Sequence, residues 1–187
     1  MCAHECAWAF IKAEKKYNIP PYLLRAISAV ESGRRRTSTH DVYPWTVCIN
    51  GHGYFCANKT AAVEKIKNLK ERGENNVDVG LMQINLRYHG CRFMSVSDMI
   101  DPVKNVDFAA RHLKQLYRRT GSWQSAVALY HSSNTGYSTP YKNKVFTVLD
   151  KIKNSARAKY RHGAVILASM RSRRKSAAVC DSAGSGR

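Results

Sequence analysis

A chain of 187 residues with 44% hydrophobic content is long enough to bury one core of ordinary size, which excludes a wholly disordered polymer. Its 31 Lys and Arg against 13 Asp and Glu leave +18, which points to polyanionic surroundings (nucleic acid, anionic lipid or a carboxylate-rich wall polymer) without choosing among them. No apolar run approaches the roughly 20 residues needed to span a bilayer.

Helical spacing runs from Cys2 to Tyr17, with Ala7, Phe10 and Ile11 on an apolar face, and Asn18-Ile19-Pro20-Pro21 ends it. Pro21 suits the first turn of the next helix, Leu23 to Glu31, which Gly33 stops. On that helix Leu24, Ile27 and Glu31 fall within roughly 60° of one another, so a carboxylate sits on the apolar stripe. It also lies in the last turn, near the negative end of the helix dipole. Both effects disfavour the charged form and raise the pKa, and a carboxylic acid still protonated near neutral pH is what a general acid needs. Arg34, Arg35 and Arg36 act the other way if they fold back. The plain alternative is a glutamate at the edge of the stripe with its head in water.

Arg34 to Pro44 reads as a polar loop and about 45–57 as a β-hairpin insertion around an Asn-Gly turn signal. If Gly51 to Gly53 form a three-residue loop, Cys48 faces Cys56 and a disulfide is within reach. Six cysteines without a zinc-type C-x-x-C pair fit an exported, disulfide-bearing protein, with the partners of Cys2, Cys6, Cys91 and Cys180 left open. The alternative, a metal held by Cys48, His52, Cys56, His89 and Cys91, matches no known spacing. Export implies a signal peptide removed from this sequence, because His4, Glu5 and Lys12 do not suit one.

A third helix spans Lys59 to Arg72, stopped by Gly73, and polar and apolar positions alternate from Asn75 into a turn at Gly80 to Asn85. Asp101 and Pro102 open a helix through Ala109, Ala110, Leu113 and Leu116 to Arg119. After Gly121, Ser122 caps a shorter helix through Trp123, Val127 and Tyr130. A loop from Ser132 to Pro140 then precedes a last helix, Tyr141 to about Arg157. The expected organisation is a mainly α domain over 1–158 and a basic, partly disordered tail over 159–187. The tail serves either solubility or docking on an anionic surface.

Three segments in order, Leu24 to Gly33, Asp78 to Asn85 and Ala128 to Ser132, resemble the soluble lytic transglycosylases, the cell-wall-cleaving family related to goose-type lysozyme. The first is similar to the family's helix ending in a catalytic Glu-Ser pair, the second to its Gly-Leu-Met-Gln turn, and the third to its Ala-Tyr-Asn segment. The likeness covers about residues 5 to 152. The Asp-Val-Gly-Leu-Met-Gln-Ile-Asn form is most similar to members that accompany secretion, pilus or conjugation machinery. Two departures stand out: the span between Ser32 and Asp78 is long, and His131 replaces the usual Asn, so the Asn's role is not carried over to it.

The resemblance implies a lysozyme-like helical fold and a one-carboxylate mechanism, consistent with the scarcity of acids. Glu31 is then the catalytic acid and base on the N-acetylmuramic acid–N-acetylglucosamine bond, and the product is a 1,6-anhydro ring. Met82 and Gln83 line the cleft, Tyr130 orients Glu31 through its hydroxyl, and Ser32 and Tyr141 complete the substrate-binding set. Each has a plainer reading: Gln83 caps its turn, Ser32 bonds a free carbonyl, and Tyr130 and Tyr141 are core aromatics. Asp78 fixes the turn or, in a lysozyme-like reading, positions water. No metal or cofactor is implied. The partners are peptidoglycan glycan strands and, through the basic tail, components of a secretion, pilus or conjugation machine; the expected location is the periplasm or cell envelope. A hydrolase of the same fold and a non-catalytic basic module for wall, membrane or nucleic acid remain the alternatives, and no nucleic-acid-binding motif is found.

Overall fold

The computed structural model describes the backbone of residues 3–32 and 42–182, and the side chains of 6–32 and 42–161. Contacts divide the chain into two units, Met1–Leu149 and Asp150–Arg187. The first is mainly α with a small antiparallel sheet, the fold class expected.

Its centre is α6 (Pro102–Thr120), which packs against α1 (Ala3–Tyr17) and α7 (Trp123–His131). Val106, Ala109, Ala110, Leu113 and Leu116 form its buried stripe at helical spacing. The ends are those the sequence announces: Asp101 accepts from the Val103 and Lys104 amides, Pro102 fills the first turn, and Gly121 closes the helix at φ 68°. Ser122 caps α7 and Asn58 caps α3 (Lys59–Glu71) in the same way.

α2 (Leu23–Glu31) starts after Pro21, not with it, and its preceding residue Tyr22 has φ 69° and no capping side chain. The carboxylate of Glu14, on α1, supplies the cap, accepting from the Tyr22 and Leu24 amides at 3.0 Å each. Arg34, Arg35 and Arg36 lie outside the described residues.

The hairpin is half of a four-stranded sheet ordered β2-β1-β3-β4, with β1 Thr46–Ile49, β2 His52–Phe55, β3 Val77–Val79 and β4 Ile84–Asn85. Its turn is the two-residue loop Asn50-Gly51, both at positive φ (49° and 78°), so the expected three-residue loop is corrected. Cys48 therefore pairs with Gly53, while Cys56 bonds back to Trp45. Trp45 and Cys48 are three positions apart, an odd offset that puts the two cysteines on opposite faces. The expected Cys48–Cys56 disulfide is absent, and both are thiols. One rung, Val47, Val79 and Ile84, is buried. The neighbouring rung, Gly53, Cys48, Asp78 and Asn85, faces the other way.

Three short elements unread in the sequence follow the sheet: α4 (Leu86–His89), a 3₁₀ turn (Gly90–Arg92) and α5 (Val96–Met99). α8 (Thr135–Ser182) begins before Tyr141, because Asn134 caps it through Gly136 N–H at 2.9 Å, and it contains Pro140. In the second unit the described backbone is the continuation of α8 to Ser182. The apolar pattern fades near Arg157, but a segment rich in Ala and Arg, without proline, favours helix by propensity alone. Cys2 and the side chain of Cys180 lie outside the described residues. No helix among the described residues is long and apolar enough to cross a membrane.

Candidate active site

Glu31 is the last residue of α2, and the helix beneath it is fixed at both ends. Leu23, Leu24, Ala26 and Ile27 are fully buried, Glu14 holds the first turn, and Ser32 N–H closes the last on Ser28 O at 2.8 Å. Glu31 is half-buried, and its Oε1 accepts a hydrogen bond from Tyr141 Oη at 2.6 Å. Burial pushes its carboxyl up from 4.5 to about 7 and the charge of Asp78 adds to this, while the Tyr141 hydrogen bond and Lys144 pull it down. Burial wins, so the acid form persists close to neutral pH.

The turn between β3 and β4 is held by a residue that the sequence reading missed. Asn105, fully buried on α6, accepts from Met82 N–H at 2.9 Å and donates to Val79 O at 3.0 Å and Met99 O at 2.8 Å. Gly80 sits against it at φ 81°, where a Cβ would come within 2.7 Å of Asn105 Nδ2, so the approach requires glycine. The signal available in the sequence was a polar residue on the apolar stripe of α6.

A cavity of about 460 Å³ opens beside these elements, lined by Glu31, Asp78, Gln83, Tyr130 and His131, with Cys48, Asn85, His89 and His112 among its other walls. A larger one of about 850 Å³, flanked by Lys70, Glu74, Arg87 and Cys91, contains no residue of the three motifs. In the first cavity Asp78 accepts from Asn85 Nδ2 at 2.9 Å, and burial raises its carboxyl. Partial loss of solvent lowers all three imidazoles, His89, His112 and His131, the last against the charge of Asp78, which favours their neutral forms. Among the described residues no three His, Cys, Asp or Glu side chains are grouped to hold a metal, so the alternative centre on Cys48, His52, Cys56, His89 and Cys91 is not assembled.

The substrate-binding set separates on inspection. Gln83 lines the cavity, and its Nε2 also donates to Gly80 O at 2.9 Å, so it caps its turn as well. Met82 does not line the cleft: its side chain is wholly buried, and it contributes its backbone carbonyl. Tyr130 lines the cavity, but its hydroxyl donates to that Met82 carbonyl at 3.0 Å and not to Glu31. The hydroxyl on Glu31 belongs to Tyr141, which is only 7% exposed. Ser32 is buried, with Oγ donating to Ser28 O at 3.0 Å, the local bond of a helix end.

A carboxyl protonated near neutrality, fixed by a phenol and open to a cavity with a second carboxyl and neutral imidazoles, is equipped for acid–base work on a polar substrate. The family model "Transglycosylase SLT domain" matches residues 8–144, a span that includes all three motifs and both tyrosines. No curated protein and no solved structure matches the chain significantly. With most of its length and every wall of this cavity inside the match, the chain belongs to the transglycosylase SLT domain family, whose activity is peptidoglycan cleavage of the lytic transglycosylase type.

Proposed function

We propose that the protein is a lytic transglycosylase that cleaves the β-1,4 bond between N-acetylmuramic acid and N-acetylglucosamine and leaves a 1,6-anhydro end. The observation that carries this reading is the half-buried Glu31 carboxyl, near 7 and held by Tyr141 at 2.6 Å at the edge of the cavity. Protonated Glu31 gives its proton to the glycosidic oxygen as the bond from C1 breaks, and the substrate's acetamide oxygen closes on C1 to share the positive charge. The Glu31 carboxylate then takes the proton of the C6 hydroxyl as that oxygen attacks C1. The acid is restored, and neither water nor a cofactor is consumed. Tyr141 stabilises the carboxylate between the two steps. Gln83 offers its amide to sugar hydroxyls or acetamides. Tyr130 braces the turn through Met82 O, while Ser32 and Met82 support the fold around the acid.

Glu31→Gln, assayed on purified peptidoglycan with mass identification of the muropeptides, tests the assignment. Loss of anhydro-muropeptides is expected, and unchanged activity dismisses Glu31 as the acid. Asp78 gives substance to a second reading, a goose-type hydrolase, because it lines the same cavity as Glu31. Reducing muramic ends without anhydro-sugar select that reading.

Around this activity we place the protein in the periplasm or cell envelope, with residues 1–158 as its catalytic domain and the basic segment 159–187 as a docking tail. The partners that tail would serve are components of a secretion, pilus or conjugation machine. Peptidoglycan is the polymer recognised, and its stem-peptide carboxylates suit the net charge of +18 by long-range attraction.

A further inference from the structure

His131 ends α7, and its imidazole lies flat on the phenol of Tyr141, with ring centroids 4.2 Å apart and planes within 6°. The two rings differ in where they sit. Tyr141 is 7% exposed and is not part of the cavity wall, whereas His131 is exposed and lines the cavity beside Glu31 and Asp78. The imidazole thus covers the phenol whose hydroxyl reaches Glu31 at 2.6 Å. A phenol can rotate about its side-chain bonds, and a hydroxyl displaced by 1 Å is no longer a short donor to a fixed carboxylate. A ring stacked face to face on a phenol restricts such rotation.

Resting on the reading of Glu31 as the acid, we propose that His131 is a positioning residue: its ring, stacked on Tyr141, fixes the phenol hydroxyl on Glu31. The requirement is a flat ring in that plane, and a proton on the imidazole is not part of it. Two variants separate these properties. His131→Ala removes the ring, and His131→Phe keeps a ring and discards the titratable nitrogens. His131 is exposed, so both substitutions spare the core.

The test compares the wild type, both variants and Glu31→Gln on purified peptidoglycan, and follows the Glu31 carboxyl by carbon NMR titration in the first three. In His131→Ala we expect kcat to fall by about 3- to 10-fold, the size of a lost aromatic stack, with KM within about twofold. We also expect the Glu31 titration midpoint to rise, because a loosened Tyr141 no longer favours the carboxylate. His131→Phe restores both. A rise in KM with kcat unchanged makes the imidazole a substrate contact and overturns the proposal, as does a His131→Phe variant as impaired as His131→Ala. An unmoved midpoint in His131→Ala overturns it too. Full activity in Glu31→Gln removes the acid assignment instead, while the Glu31 titration still reports on the stack.

Discussion

Tyr141→Phe isolates the hydrogen bond that Glu31 accepts among the described residues. The ring and its stack on His131 remain, and only the hydroxyl 2.6 Å from Oε1 is lost. A hydrogen bond to a charged group contributes about 1.5–3 kcal/mol, and one pKa unit corresponds to about 1.4 kcal/mol. Because the bond favours the carboxylate, its removal raises the Glu31 pKa further above about 7, by roughly 1–2 units. The high-pH limb of kcat/KM on peptidoglycan, which reports loss of the acid form, moves up by the same amount. At the plateau kcat falls about tenfold or more, because the carboxylate formed on bond cleavage has lost its donor. A carbon NMR titration of the Glu31 carboxyl checks the pKa without reference to catalysis. A high-pH limb that stays in place or moves down, with the NMR midpoint unchanged, refutes the reasoning.

Glu14→Gln tests the other raised carboxyl, which burial pushes from 4.5 to about 7 against the lowering effect of its two backbone hydrogen bonds. A folded pKa above the unfolded one means that the protonated group stabilises the fold below pH 4.5 and that this contribution is lost as pH rises through about 7, so denaturant unfolding from pH 4.5 to 8 should lose about 3 kcal/mol less in the variant than in the wild type; equal slopes discard the explanation. Asn105→Ala removes the hydrogen bonds to Met82 N–H, Val79 O and Met99 O in the interior and should cost about 3–5 kcal/mol in the same assay. A cost under about 1 kcal/mol would mean that water or a shifted backbone satisfies those groups.

Long elements with their own punctuation were legible. α6 carries an N-cap, a proline and a closing glycine within the segment that they bound, so its limits follow from local chemistry. The sheet was half legible for the opposite reason. β3 and β4 have three and two residues, too few to show a period, and they exist because β1 is there to pair with β3. The hairpin register turned on a single residue, since a loop of two instead of three moves Cys48 from Cys56 to Gly53. At α8, Pro140 reads as a breaker, yet Asn134 starts the helix ahead of it.

In the site, one signal did most of the work and also explains the misses. Glu31 drew notice as a polar residue on an apolar stripe. The same test, applied evenly, marks Glu14 on α1 beside Phe10 and Ala13, and Asn105 on α6 beside Val106 and Ala109. All three are polar groups that the fold takes out of water, and what separates them is where their hydrogen bonds go. Glu14 spends both oxygens on backbone amides of α2, and Asn105 spends its amide on three backbone groups around the turn. Glu31 uses one oxygen on a phenol and, among the described residues, leaves the other without a protein donor at the edge of a cavity. Stripe position finds groups that folding holds under strain, but role is set by how many of their lone pairs the protein itself satisfies. That count depends on residues 110 positions apart, as Glu31 and Tyr141 are, and no window of the sequence contains it.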